Sequence, residues 1–113
     1  MIGKYKVITL IGSTKFKEDF DKCASKLTLR GYIVLPLTVF EKYNQLLLTR
    51  DECKMLKDMI MRKIDISDEV YVVNPDGYIG DSTKCKIEYA LNNNKKVTFM
   101  NSNIDTEVFK YGK

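Results

Sequence analysis

Histidine and tryptophan are both absent from this sequence of 113 residues. Without histidine, imidazole bases and His-ligated metal sites are excluded. The three cysteines, Cys23, Cys53 and Cys85, lie far apart and form no CxxC pair. We therefore expect reduced thiols in a cytoplasmic protein, with no metal site and no cofactor. No apolar run reaches membrane-spanning length, and the N-terminus lacks the apolar segment of a signal peptide, so we expect no membrane association.

The charge is only mildly basic: 19 Lys and Arg against 15 Asp and Glu give a net charge of +4. The lysines are scattered along the chain and form no basic run, so nucleic acid is not the expected partner. An anionic small molecule suits this charge equally well. The length is that of one domain spanning residues 1–113. The abundance of Lys, Asn, Ile and Tyr is typical of AT-rich genomes, such as those of low-GC bacteria and their phages.

Apolar, β-branched runs alternate with helical patterns along the chain. Strands are predicted at residues 6–11, 32–37, 69–74 and 96–100, and helices at 16–30, 49–65 and 82–92. Residues 38–48 are expected to form a short helix or a loop over the site, and residues 101–113 an edge strand or a short helix. This alternation predicts an α/β domain, with a single doubly wound, mainly parallel sheet of four or five strands. The architecture is flavodoxin-like or Rossmann-like.

Local signals mark several boundaries. Thr49 and Glu52 have the spacing of a capping box, so a helix is predicted to begin at Thr49. Pro75 cannot continue a strand ladder and ends the third strand. Asp81 or Ser82 is expected to be the N-cap of the following helix.

Two loops are candidates for a ligand site. The first, Gly12-Ser13-Thr14, follows the first strand and offers hydroxyl and N–H groups to a phosphate or a sugar. The second follows the third strand and leads into a helix; its candidate residues are Gly77, Tyr78, Gly80, Asp81, Ser82 and Thr83. Ligands of open α/β sheets bind at the carboxyl ends of the strands, where helix N-termini favour anions. We predict that the two loops meet there. Either loop could instead be an ordinary connection between strand and helix.

Several short motifs together resemble those of the nucleoside 2-deoxyribosyltransferase superfamily, which includes deoxynucleoside-monophosphate N-glycosidases and small bacterial and phage proteins. These motifs are Gly12-Ser13 after the first strand, Asp68 before the third strand, a glycine-rich loop, a Glu-Tyr-Ala element and a Lys-Val strand. The likeness covers about residues 6–100. It implies a carboxylate that attacks C1′ of a sugar and expels the base, as in a retaining glycosidase, with a second carboxylate that orients it.

The residue-by-residue correspondence departs from the family at both carboxylates. Counting from Tyr89-Ala90-Leu91 and Lys95, the place of the nucleophilic Glu is occupied by Lys86. Glu88 follows two positions later, which is about 200° further round a helix. Counting back from Asp68, the place of the supporting Asp is occupied by Ile60.

The resemblance therefore leaves two hypotheses for function. The first is a nucleotide- or nucleoside-binding protein, with Lys86 and Asp68 among its ligand-binding residues, that senses or sequesters a nucleotide signal. Lys86 could equally be a solvated helix lysine. The second is an N-glycosidic transferase or hydrolase that uses Glu88 together with Asp65 or Asp58.

Members of this family commonly complete the pocket with a neighbouring subunit. The resemblance therefore implies a homodimer or a higher homo-oligomer. In addition, the apolar residues Val39, Phe40, Leu46, Leu47 and Leu48 lack an evident internal partner.

Overall fold

Four parallel strands flanked by helices form the core of this α/β protein, whose computed structural model describes residues 2–102. The strands are β1 (Val7–Gly12), β2 (Ile33–Leu35), β3 (Glu69–Val73) and β4 (Lys96–Phe99). The helices are α1 (Lys17–Leu29), α2 (Glu41–Asn44), α3 (Arg50–Asp65) and α4 (Asp81–Asn92), and a 3₁₀ turn (Pro75–Gly77) follows β3. Among these described helices, none combines the length and the apolar character needed to cross a membrane.

The strand order β2-β1-β3-β4 places β1 and β3 at the centre of the sheet. From β1 the chain passes outward to β2, then returns to the other side of β1 to form β3. The boundary between β1 and β3 is therefore a topological switch point, where ligands of such sheets bind. The predicted α/β class with a parallel sheet is confirmed, with four strands in residues 2–102. Most of the predicted C-terminal element, from residue 103 onward, lies outside the described residues.

Each face of the sheet has its own apolar core, because alternate strand residues point to opposite faces. On one face Ile8, Leu10 and Tyr71 pack with the α1 residues Phe20 and Leu27. On the other face, residues of β1 and β3 pack with residues of α3 and α4; the cluster comprises Ile11, Ile64, Val70, Val72, Ile87 and Ala90. Helices thus cover both faces of the sheet.

Two of the predicted helix starts have different outcomes. The capping box of α3 is confirmed: the Thr49 hydroxyl accepts a hydrogen bond from the Glu52 backbone N–H at 3.1 Å, and the Glu52 carboxylate accepts one from the Thr49 N–H at 2.9 Å. The predicted N-cap of α4, Asp81 or Ser82, is wrong. Gly80 is the N-cap and has extended backbone angles, so the helix begins one residue earlier. The Ser82 hydroxyl instead accepts a hydrogen bond from the Lys86 ammonium group.

The segment between β2 and α3 forms a loop with one short helix, α2. Phe40 precedes α2 and is only 5% exposed, with its ring 5.4 Å from the ring of Phe20. The expectation that Phe40 lacks an internal partner is therefore wrong, because the loop folds back onto the α1 core. Leu46 and Leu47 remain exposed.

We predict that Gly12→Ala destabilises the protein. A Cβ at this position would lie 2.6 Å from the Val73 carbonyl oxygen and 3.0 Å from the Phe20 ring, so the central strand pair would have to move. The free energy of unfolding, measured by urea denaturation, should fall by about 1–3 kcal/mol, as in other overpacked cores. Gly3→Ala is the control, because its Cβ would meet only the side chain of exposed Tyr5. Equal stability of the two variants would contradict the prediction.

Candidate functional site

A cavity of about 510 Å³ lies at the carboxyl ends of β1, β2 and β3. Its wall is formed by the loop after β1, the loop after β2, one side of α3 and the first turns of α4. The two glycine loops meet here, as predicted, because β1 and β3 are paired from Ile8–Glu69 to Gly12–Val73. The volume is within the usual range for small-molecule sites, about 300–1,000 Å³.

Nine of the residues predicted to bind a ligand line this cavity. They are Gly12, Ser13, Thr14, Tyr78, Gly80, Asp81, Ser82, Thr83 and Lys86. Gly77 lies just outside, in the 3₁₀ turn, with a positive φ of 77° that suits glycine. Asp68 is at the other end of the sheet, before β3, where its carboxylate accepts a hydrogen bond from the Val7 N–H at 2.8 Å. Asp68 therefore links β3 to β1 and does not line the cavity.

Positive charge is concentrated around the cavity. Four lysines line it, Lys42, Lys57, Lys63 and Lys86, whereas the carboxylates that line it are two, Glu41 and Asp81. Within residues 2–102, none of the four lysines has a carboxylate within ion-pair distance. An anion bound in the cavity would therefore compensate lysine charges that no described carboxylate compensates.

Lys86 is the most deeply buried of these lysines, with only 8% of its surface exposed. Its ammonium group donates a hydrogen bond to the Ser82 hydroxyl at 3.0 Å. Burial lowers the pKa of Lys86 below its ordinary value of 10.5, and the charge of Lys57 lowers this pKa further, against a weaker opposing effect of Glu41. A buried ammonium group with one neutral hydrogen-bond partner has capacity for an anionic one.

Lys63 lies on the α3 side of the cavity, and its ammonium group donates a hydrogen bond to the Pro36 carbonyl oxygen at 2.8 Å. Burial lowers the pKa of Lys63 as well. This contact joins the end of β2 to α3. Lys63 therefore has a structural role in addition to its charge.

The loop after β1 is held from two sides. The Thr14 carbonyl oxygen accepts a hydrogen bond from the Tyr43 N–H at 3.3 Å, so α2 is attached to this loop. On the other side, the Lys15 ammonium group lies 3.8 Å from the centroid of the Tyr78 ring. The ring of Tyr78 also meets that of Phe16 edge to face at 5.7 Å. These contacts join the loop after β1 to the loop after β3, whose Tyr78 lines the cavity.

The α3 side of the cavity was not predicted as part of a site, although the sequence contains a signal for it. Cys53, Leu56, Ile60 and Lys63 recur at helical spacing, and this pattern predicts one shared face of the helix. All four line the cavity. Apolar residues from the loop after β2 add to this wall, namely Leu37 and Val39. The side of the cavity formed by α3 and the loop after β2 is therefore largely apolar apart from its lysines, whereas the start of α4 is polar.

The carboxylates considered for catalysis lie elsewhere. Asp65, at the end of α3, accepts a hydrogen bond from the Tyr89 hydroxyl at 2.6 Å, and its backbone carbonyl accepts one from the Lys95 ammonium group at 3.1 Å. Glu88 is half-buried on α4. Asp58 faces a groove on the outer side of α3. Among the described residues, these three carboxylates are not part of the cavity lining.

Comparison with protein-family profiles, with curated proteins and with solved structures gives no match for this chain.

Lys86→Met should stabilise the protein at neutral pH, because it removes a charge that burial disfavours. The pKa of Lys86 is lowered in the folded state, so the unfolded chain binds the proton more tightly than the folded protein. The free energy of unfolding of the wild-type protein, relative to that of the variant, should therefore rise as the pH increases from the lowered pKa toward 10.5. Above pH 10.5 the difference should no longer change. Urea denaturation of both proteins across this range measures the difference. A difference that does not change with pH would contradict the prediction.

Proposed function

We propose that this protein binds a nucleotide or a nucleoside in the cavity at the carboxyl ends of β1, β2 and β3, and thereby senses or sequesters a nucleotide signal. The observation that supports this most directly is the position of Lys86. Lys86 is 8% exposed and lines the cavity, and its ammonium group lacks a carboxylate partner within residues 2–102. Burying a charge is costly unless it is compensated, and an anionic ligand would compensate it.

The distribution of polar and apolar groups supports a ligand with two chemically different ends. At one end, the first turn of α4 contributes Ser82 and Thr83, and the N-cap of the helix is Gly80, which has no side chain with which to cap the first N–H groups of α4. Together with Lys86 this end suits a phosphate. The α3 side of the cavity, with Leu56 and Ile60, suits the face of a base. A nucleotide has both parts.

The resemblance to the nucleoside 2-deoxyribosyltransferase superfamily points to the same class of ligand. In this chain Lys86 occupies the place of the family's nucleophilic glutamate. An ammonium group cannot act as the carboxylate nucleophile, but it can form a charge-assisted contact with phosphate. We therefore propose that this chain retains the binding part of the family's site but not its catalytic part.

The alternative, an N-glycosidic transferase or hydrolase, requires a carboxylate within reach of the sugar C1′. Glu88 and Asp65 are not among the described residues that line the cavity, and Asp65 is bonded to Tyr89. The carboxylates in the lining are Glu41, at the start of α2, and Asp81, in the first turn of α4. A glycosidase would have to use one of these, or change conformation, and for this reason we favour binding.

Calorimetric titration with deoxynucleosides and their 5′-monophosphates tests the proposal. We expect wild-type protein to bind at least one monophosphate, and Lys86→Met to bind it about tenfold to a hundredfold more weakly. A charge-assisted contact with phosphate contributes about 1.5–3 kcal/mol, which corresponds to that range. Lys84→Met is the matched control, because Lys84 lies on the same helix but is exposed and outside the lining. The control should change affinity by less than about threefold, as expected for a screened surface charge.

Two results of this titration would contradict the proposal. The first is that no nucleoside and no nucleotide binds to the wild-type protein. The second is that Lys86→Met and Lys84→Met lose affinity equally, because the loss would then reflect overall charge and not a contact in the cavity. Repeating the titration at high salt separates a contact in the cavity from an effect of overall charge, since exposed charges are screened more strongly than buried ones.

Chromatography of the same mixtures for free base tests the alternative. If the protein only binds its ligand, no base should accumulate over hours with any deoxynucleoside or deoxynucleotide. Base release by wild type that is lost in Glu88→Gln would establish a nucleophilic role for Glu88, because the amide retains size and polarity but cannot attack. Base release lost in Glu41→Gln or Asp81→Asn would instead identify a carboxylate of the cavity lining.

A further inference from the structure

Lys86 has an amino group that is buried and yet lies beside the cavity. The residue is 8% exposed and lines the cavity together with Ser82. The Ser82 hydroxyl accepts a hydrogen bond from Nζ of Lys86 at 3.0 Å. Ser82 lies one turn earlier on α4, so this hydrogen bond holds Nζ next to the cavity. The nitrogen is therefore placed where a ligand atom can meet it, and it is shielded from bulk water.

The charged groups around Lys86 come from three helices. Lys57 on α3 and Lys42 on α2 disfavour a further positive charge, whereas Glu41 on α2 and the neighbouring Cys85 on α4 favour it. Burial has the largest effect, and together with the two lysines it lowers the pKa of Lys86 below 10.5. Desolvation in a pocket and a second cation nearby are the two conditions that turn a lysine into a nucleophile. Both conditions are met at this residue.

The cavity still suits a phosphate when Lys86 is uncharged. The remaining charged residues of the lining are three lysines and two carboxylates, namely Lys42, Lys57, Lys63, Glu41 and Asp81. Lys63 donates a hydrogen bond to the Pro36 carbonyl oxygen, so the two lysines that have no such contact are Lys42 and Lys57. Neither has a carboxylate within ion-pair distance in residues 2–102. A ligand with one phosphate and one electrophilic carbon would therefore find a partner for each group.

We propose that Lys86 forms a covalent imine with the carbonyl carbon of a phosphorylated aldehyde bound in this cavity, such as the open-chain form of a pentose 5-phosphate. Lysine amines form imines with carbonyl compounds, and burial is what makes them suitable for it. The proposal goes beyond nucleotide binding, because it uses the uncharged form of Lys86 and requires no base in the ligand.

The reaction is an addition followed by the loss of water. The lone pair of Nζ forms a bond to the carbonyl carbon, and the electron pair of the C=O double bond moves to the oxygen. The nitrogen then loses one proton and the oxygen gains one, which gives a carbinolamine. The oxygen takes a second proton from solvent and leaves as water, while the nitrogen lone pair forms the C=N bond. The step needs no oxidant and no reductant, and water reverses it.

Reductive trapping with 2-deoxyribose 5-phosphate and cyanoborohydride at neutral pH tests the proposal, with peptide mapping by mass spectrometry. The peptide with Lys86 should gain the mass of one aldehyde less one oxygen atom, because hydride converts the imine to a secondary amine. Labelling of Lys86 should saturate with aldehyde concentration and be faster than labelling of exposed Lys84. 2-Deoxyribose, which lacks the phosphate, should need about a tenfold to a hundredfold higher concentration, the range given by a charge-assisted contact.

Three variants separate imine formation from the charge of Lys86. Lys86→Met removes both the amine and the charge, whereas Lys86→Arg retains the charge on a guanidinium group that stays protonated and forms no imine. Both variants should lose the saturable adduct, and Lys86→Arg should retain more nucleotide affinity than Lys86→Met. Lys84→Met is the control and should retain the adduct. In the wild-type protein, inorganic phosphate should slow the labelling of Lys86 and not that of Lys84, a result that does not depend on the folding of any variant.

Labelling that is equal at Lys86 and at exposed lysines would overturn the proposal, and so would an adduct at another residue that persists in Lys86→Met. Equal labelling by 2-deoxyribose with and without phosphate would refute the phosphorylated class of ligand. Nucleotide binding in calorimetry without any trapped Lys86 would refute the imine and leave the proposed function standing. Trapped Lys86 without nucleotide binding would support the imine and contradict the proposed function.

Discussion

The pairing of β1 with β3 is the constraint on which the rest of the structure depends. Five residue pairs join the two strands, from Ile8–Glu69 to Gly12–Val73. At the last pair there is no space for a side chain on β1, because a Cβ on Gly12 would lie 2.6 Å from the Val73 carbonyl oxygen. The two strands therefore end side by side, and the loops that follow them must start at the same edge of the sheet. The cavity lies at this edge, bounded by both loops, by one side of α3 and by the first turns of α4.

Lys86 lowers the stability of the folded protein, and the ligand that we propose would offset this cost. Burial lowers its pKa, and so does the neighbouring charge of Lys57, which means that the folded protein holds the charged form at a cost. A methionine of similar size would avoid this cost. Polar groups placed against stability are common at ligand sites, where the ligand supplies the missing partner. The Ser82 hydroxyl compensates the ammonium group only in part, since it satisfies one of three donors.

The sequence alone predicted the parts of this structure that depend on neighbouring residues. The capping box at Thr49 and Glu52, the end of β3 before Pro75 and the alternation of strands and helices were all correct. The error at Phe40 came from a contact distant in sequence, because Phe20, on α1, packs against its ring. The error at the start of α4 was local: Gly80 is the N-cap, and the Ser82 hydroxyl accepts a hydrogen bond from Lys86, one turn further along the same helix. The contribution of α3 to the cavity had a helical signal, yet the periodicity of Leu56 and Ile60 cannot distinguish a buried face from a cavity wall.

Helix α3 explains how the cavity can have so exposed a wall. Its N-terminal end is fixed by the capping box, and its C-terminal end by Ile64 in the core and by the Tyr89–Asp65 hydrogen bond. Between these ends Ile60 and Met61 pack against the core while only partly buried, and the other residues of the helix face the cavity or solvent. Helices in proteins derive most of their stability from packing and not from intrinsic propensity. A ligand on the inner side would supply packing to these turns. Because Met59 and Lys63 line both the cavity and the outer groove, the two surfaces share residues, and occupation of one would restrict the side chains available to the other.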